Sequence, residues 1–272
     1  MPGRESDPQH SPYALTIASS DSGGGAGVQA DLKTMTRLGV YGGSVVVGVT
    51  AQHTRGVEST HVLPAAEIRA QYDAVTDDFD VAAIKLGMLG TAEAVRTVDD
   101  CLADYDGPVV LDPVMVATSG DRLLDADAVD AYTDLFARAT LLTPNADETV
   151  ELTGITPDSP EARDRAATQF FEWGVDAVLF KGGHVATDES ELRDVLVTPE
   201  STATFVGDRV ATDATHGSGC TLSSAIAARL ARGDALEPAV ERGIEFVRSA
   251  IERPAAVGAN GSVNHLVEWR GD

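Results

Sequence analysis

Lysine is scarce in this 272-residue chain: Lys33, Lys85 and Lys181 are the only three, and arginine supplies the rest of the 20 basic side chains. Against 43 Asp and Glu, the formal net charge is -23. Nucleic acids and anionic membranes draw most of their affinity from cationic protein groups, so so acidic a chain argues against either as a partner. Cysteine is nearly missing too. Cys101 and Cys220 stand far apart and outside any C-x-x-C spacing, which speaks against a disulfide framework or a zinc cluster and suits a reducing compartment. No apolar run approaches the roughly 18 residues of a membrane span, and the N-terminus has no basic-then-apolar leader, so a cytoplasmic protein is expected. A Walker-type G-x-x-x-x-G-K-[ST] loop occurs nowhere.

The acids are spread along the chain, Asp77, Asp78, Asp99, Asp100, Asp104 and Asp106 among them, as a solvated shell rather than a tail. High Asp with little Lys resembles proteins of salt-loving organisms, in which self-repulsion is screened to about 3 Å at 1 M salt. The hydrophobic fraction of 43% is enough for one large α/β core. Residues 1–12 read as a polar tail, and a single domain is expected over 13–268.

Short apolar runs alternate with amphipathic segments. The pattern predicts strands at 14–18, 44–49, 81–85, 108–112, 140–143 and 176–180, and helices at 25–38, 65–76, 91–103, 126–137 and 161–173. This predicts a three-layer α/β/α fold around a mostly parallel sheet, with ligands past the carboxyl ends of the strands. Segments 194–198 and 202–206, split by Pro-Glu-Ser, predict a small antiparallel hairpin at an edge, followed by helices at 217–232 and 236–253.

Gly25-Ala26-Gly27-Val28-Gln29-Ala30 formally matches the dinucleotide fingerprint, but the second strand ends in Thr50-Ala51-Gln52 where that fingerprint needs an acid for the ribose. Thr215-His216-Gly217-Ser218-Gly219-Cys220-Thr221 is more informative. Small residues at the start of a helix leave backbone N–H groups to converge on an anion, and the helix dipole favours negative charge there. The same field is expected to lower the thiol pKa of Cys220. Lys85-Leu86-Gly87-Met88, Asp112-Pro113-Val114-Met115, Thr143-Pro144-Asn145 with Glu148, and Lys181-Gly182-Gly183-His184 end successive strands, so polar groups gather at one sheet edge. Acids such as Asp112 and Glu148 there could hold Mg²⁺, and Lys181 could neutralise a nucleotide phosphate.

Four segments carry a specific resemblance: Asp21-x-x-x-Gly25-Ala26-Gly27-x-Gln29-Ala30-Asp31-Leu32-Lys33-Thr34, Ala51-Gln52-x-Thr54-x-Gly56-Val57, Lys85-x-Gly87-Met88, and His216-Gly217-Ser218-Gly219-Cys220-Thr221-Leu222-Ser223. The chain resembles the hydroxymethylpyrimidine and phosphomethylpyrimidine kinases of thiamine biosynthesis, in the ribokinase superfamily. The resemblance implies a ribokinase-like fold, MgATP as phosphoryl donor, two successive phosphorylations at one site, and a homodimer. It assigns Gln52, Asp31, Ala26, Met88, Val114 and Ser19 to the pyrimidine pocket, Ser19 standing where Gly is commoner. It assigns Lys181, Asn145 and Thr215 to the nucleotide, Asp112 and Glu148 to Mg²⁺, and Gly217, Ser218, Gly219 and Cys220 to phosphoryl transfer. Ala214 stands where Asn is usual. Competing readings are a pyridoxal kinase of the same fold and a non-catalytic pyrimidine-phosphate sensor.

Overall fold

The computed structural model describes residues 10–114, 128–182 and 191–269. Most of the tail, the start of the helix expected at 126–137, Met115, Gly183 and His184 lie outside them.

A central strand, β1 (Tyr13–Ala18), is buried along its whole length and pairs in parallel with β2 (Tyr41–Val46) on one side and β5 (Val81–Leu86) on the other. Burial on both faces suits its mostly apolar sequence, whose buried Thr16 hydroxyl is satisfied by Asp31. Beyond β5 follow β6 (Val109–Leu111), β7 (Leu141–Leu142) and β8 (Val178–Phe180), all parallel. Two antiparallel strands, β9 (Glu191–Val197) and β10 (Thr202–Asp208), complete the order β10-β9-β8-β7-β6-β5-β1-β2. The hairpin expected at an edge is there.

Helices cover both faces. On one lie α2 (Ala65–Thr76), α3 (Ala92–Cys101), α4 (Ala128–Phe136) and α6 (Pro160–Glu172), whose Ile68, Tyr72, Val95, Val98, Tyr132, Phe136 and Phe170 join the sheet's Leu15, Ile17 and Ile84 in one core. α3 shows why the sequence folds this way: Thr91 accepts the Ala94 N–H as an N-cap, and Ala94, Val95, Val98 and Cys101 form its inward stripe. On the other face lie α1 (Gly27–Arg37), α7 (Ser218–Ala231) and α8 (Leu236–Glu252). α7 is buried nearly all round, from Thr221 to Arg229, and its small residues let neighbours approach closely. At Gly243 of α8, an added Cβ would lie 2.7 Å from Ile226 of α7.

Two elements depart from expectation. The strand expected at 44–49 is the end of β2 and the start of a separate strand, β3 (Gly48–His53), which pairs with β4 (Gly56–Val62) in a two-stranded antiparallel sheet. The run Val-Val-Val-Gly-Val at 45–49 has no polar side chain, so periodicity cannot mark the break that the chain makes at Val47. Helix α5 (Ala146–Thr153) was not expected; it is eight residues long and held by an end cap rather than by a strong apolar stripe.

Candidate active site

The carboxyl ends of β1, β5, β6, β7 and β8 open onto one edge, and α7 begins beside them. Gly217 takes φ +83°, a left-handed conformation open to glycine at little cost, and caps α7. Of the first-turn donors, Ser218 N–H is bonded to Thr215 O at 3.0 Å, while those of Gly219 and Cys220 have no backbone acceptor among the described residues. Gly219 faces the acidic end of the site: a Cβ there would lie 3.4 Å from Asp112 Oδ2 and 3.6 Å from Lys181 Nζ. The backbone anion site and the charged cluster are therefore adjacent.

Lys181, at the end of β8, donates to Asp112 Oδ1 at 2.8 Å and lies 3.5 Å from Glu148 Oε2. Thr143 donates to the same Asp112 oxygen at 3.1 Å. Glu148 and Asn145 form a capping box on α5: the Glu148 N–H donates to Asn145 Oδ1 at 2.8 Å, and the Asn145 N–H to Glu148 Oε2 at 2.7 Å. Burial, reinforced by Asp112 and only partly countered by Lys181, pushes the Glu148 carboxyl up to about 7. Two buried carboxylates thus face a single lysine. Among the described residues no cluster of three or more His, Cys, Asp or Glu side chains could enclose a metal. The cluster instead offers two hard oxygen donors with residual negative charge, which suits a divalent cation that keeps other ligands from water or phosphate. A cavity of about 190 Å³ opens beside Lys181 and Asn145, lined also by Arg163, Phe180 and Arg193.

The other half of the site is the loop between β1 and α1. Asp21, 1% exposed, accepts the N–H groups of Gly23, Gly25 and Ala26 at 2.8, 3.0 and 2.8 Å and meets His216 Nε2 at 2.9 Å. Burial works to raise its carboxyl, but the His216 hydrogen bond and the backbone donors hold it at about 2. Gln52, in β3, is tied to this loop: its N–H donates to Ser22 Oγ, and Thr50 Oγ1 lies 3.1 Å from Gln52 Oε1 and 2.8 Å from Ser20 O. Ala26, Met88 and Val114 are part-exposed around the same edge.

Two residues that the resemblance assigns to the pyrimidine pocket, Asp31 and Ser19, are buried and bonded to neighbouring protein groups. Asp31 is fully buried, accepting Lys85 Nζ at 2.9 Å and Thr16 Oγ1 at 2.7 Å. Lys85 is itself fully buried and needs a counterion; removing one partner of such a pair costs about 3–5 kcal/mol. Ser19 is 2% exposed and turns its hydroxyl onto Met88 O at 3.1 Å, joining the ends of β1 and β5. The lowered thiol pKa expected at Cys220 is corrected. Burial, together with the charges of Asp31 and Asp112 and against the pull of Lys85 and a Gly27 N–H, pushes the Cys220 thiol up to about 11. The α7 dipole is outweighed by desolvation and two nearby carboxylates.

Asp21, His216 and Lys85 received no role from the sequence, although each stands in a motif segment. A polar residue just ahead of a glycine-rich turn was the available signal for Asp21; its distant partner His216 had none.

This architecture, with a glycine-rich turn after the first strand and an anion site at the start of a late helix, defines a kinase of the ribokinase-like fold. A pyridoxal kinase from Bacillus subtilis, solved with ADP, superposes with a TM-score of 0.86 at 31% identity, covering 95% of this chain and 98% of that one. A phosphomethylpyrimidine kinase from Clostridium difficile superposes with a TM-score of 0.78 at 36% identity, covering 88% and 99%. The hydroxymethylpyrimidine/phosphomethylpyrimidine kinase of Streptomyces coelicolor is 45% identical over 93% of this chain and 94% of its own length. The phosphomethylpyrimidine kinase family profile matches residues 21–264, and the chain belongs to that family.

Proposed function

We propose that this protein transfers the γ-phosphoryl group of ATP to the hydroxymethyl oxygen of 4-amino-5-hydroxymethyl-2-methylpyrimidine, and then a second phosphoryl group to the monophosphate so formed. In the first step the alcohol oxygen bonds to the γ-phosphorus, the bond from that phosphorus to the bridging oxygen breaks, ADP leaves and the hydroxyl proton is released. The observation that carries this reading is the meeting of two loops: the β1–α1 turn with Gln52 on one side, and the open N–H groups of Gly219 and Cys220 on the other.

The pyrimidine lies under residues 20–27, with the Gln52 amide toward its ring nitrogen and amino group and with Ala26, Met88 and Val114 around the ring. The γ-phosphate lies at Gly217, Ser218, Gly219 and Cys220, with Lys181, Asn145 and Thr215 on the nucleotide side. Mg²⁺ would be held by Asp112 and Glu148, directly or through water, and when bound supplies charge neutralisation to the phosphates. The protein's own contribution is positioning and preorganised charge. Asp31 and Ser19 act from beneath the pocket, Asp31 by keeping Lys85 charged and in place.

We further place the enzyme in the cytoplasm as a homodimer without a nucleic-acid partner. Both cysteines are free, and no helix among the described residues is long and apolar enough to cross a membrane. Tyr41 and Phe79, 65% and 42% exposed, stack on either side of Tyr13 beside the open edge strand β2, an apolar patch that a second copy would cover.

A coupled ATP assay with hydroxymethylpyrimidine, its monophosphate and pyridoxal tests the reading. Turnover of the first two above pyridoxal supports it; turnover of pyridoxal alone replaces it with the pyridoxal kinase reading that the likeness to the Bacillus subtilis enzyme favours. No ATP turnover with any of them leaves a binding protein. A buried amide discriminates by leaving partners unpaired when it is lost, so Gln52→Leu should raise the KM for the pyrimidine at least about tenfold with little change for ATP. Equal losses for both would move Gln52 out of the pocket.

A further inference from the structure

We propose that Asp21 and His216 form a latch that locks the pyrimidine loop to the phosphoryl-transfer loop, making both of them positioning residues for the reaction. The inference rests on the kinase reading above. One carboxylate serves both loops: Asp21 Oδ1 takes the Gly23 N–H, and Asp21 Oδ2 takes those of Gly25 and Ala26 together with His216 Nε2 at 2.9 Å. The Asp21 N–H is bonded in turn to Gln29 Oε1 of α1 at 2.8 Å. His216 immediately precedes the α7 cap Gly217 and is fixed from behind, its carbonyl accepting Ser262 Oγ at 3.0 Å and the Val263 N–H at 3.3 Å.

The loops also interlock sterically. A Cβ on Gly25 would lie 2.5 Å from the His216 ring and 2.7 Å from Ser262 Oγ, and one on Gly217 would overlap the Gly25 carbonyl. Neither loop can shift without the other. The acceptor hydroxyl belongs to the first loop's site and the phosphoryl group to the second's, so the latch sets the distance between the reacting atoms. Misplacement by about 1 Å can cost about 10² in rate. Asp21 stays ionised over the working pH range, so the contact needs only a hydrogen on His216 Nε2, which neutral and protonated imidazole can both supply.

The test compares His216→Ala with His216→Gln, whose amide N–H reaches about as far as Nε2. The readouts are kcat, both KM values and the ratio of ATP hydrolysed to pyrimidine phosphorylated. His216→Ala should lower kcat roughly 10- to 100-fold, leave the KM for ATP within about threefold, and raise the ratio severalfold as water competes with a misplaced hydroxyl; His216→Gln should stay within about fivefold of wild type on every readout. Wild-type kcat and ratio in the Ala variant overturn the latch. So do equal losses in both variants with an unchanged ratio, which would make His216 a packing residue. If His216→Ala does not fold, as judged by thermal melting, His216→Asn, too short to reach Asp21, carries the same comparison. A wild-type enzyme that does not phosphorylate the pyrimidine fails the kinase reading itself and the latch with it, whereas an active wild type with indifferent variants fails the latch alone.

Discussion

Burial decides the protonation of Cys220 first, and the charges of Lys85, Asp31 and Asp112 and the N–H of Gly27 at the start of α1 adjust it from there. At about 11 the thiol holds its proton throughout the neutral range, and too little thiolate exists for it to serve as an efficient base. A loose phosphoryl-transfer transition state asks little of a base, because the nucleophile's proton can leave late. Cys220→Ala should therefore lower kcat by less than about 10², short of the span typical for removing a general base, and should leave the pH dependence of kcat between pH 6 and 9 unchanged. A larger loss, or the disappearance of a titration from that profile, would restore the thiol as base. The sequence reads Cys220 correctly as a first-turn residue of a helix and misjudges its ionisation. The helix start that attracts a thiolate can be read from neighbouring glycines, but Asp31, Lys85 and Asp112 reach the sulfur only through the fold.

Helix α5 shows what a short element does for the site. Its capping box holds Asn145 and Glu148 against each other, and the same Glu148 oxygen that caps the helix lies beside Lys181. Asn145→Ala removes the acceptor for the Glu148 N–H, a change worth typically about 1 kcal/mol, and frees the carboxylate beside Lys181 that the proposed Mg²⁺ site would need in one place. The variant should melt a few degrees lower and lose kcat at saturating ATP, whereas Asn145→Asp, which keeps the cap, should regain the stability. Equal melting temperatures for the Ala and Asp variants would separate the cap from the fold. The long elements were legible: α2 follows the expected 65–76, and the expected edge hairpin is β9 and β10. Those missed were α5, whose eight residues carry little periodicity, and the β3–β4 hairpin, whose first strand merges with β2 in an unbroken apolar run. The cap signature Asn-x-x-Glu stands at 145–148, but without a strong apolar stripe behind it a cap cannot be told from a ligand pair in the sequence.

Over the whole molecule the charge is distributed unevenly by function. The chain carries -23, yet Lys85 and Lys181, two of its three lysines, are committed to ion pairs beneath and beside the site, and Lys33 donates to the Gly24 carbonyl of the pyrimidine loop at 2.6 Å. The lysines are thus spent on holding the site, and the acids away from it are left with few cations to offset them. Exposed examples bear this out. Asp77, Asp78, Asp104 and Asp106 are at the surface, and the Arg69–Asp100 pair is loose at 3.5 Å and well exposed, worth little in water. Self-repulsion of that kind favours the unfolded chain, in which the charges separate, and salt weakens it as the Debye length falls from about 10 Å at 0.1 M to about 3 Å at 1 M. The latch and the Lys181 cluster are buried and screened far less. The melting temperature should therefore rise steadily between 0.1 and 2 M KCl, over a range of roughly 10 °C or more, while the KM for the pyrimidine changes by less than about threefold. KCl should act much as NaCl does at equal ionic strength, since screening depends on charge rather than on ion identity. A melting temperature that is flat or falling with salt would show that the acidic shell is not the limit on stability, and the salt-adapted reading of the composition would go with it.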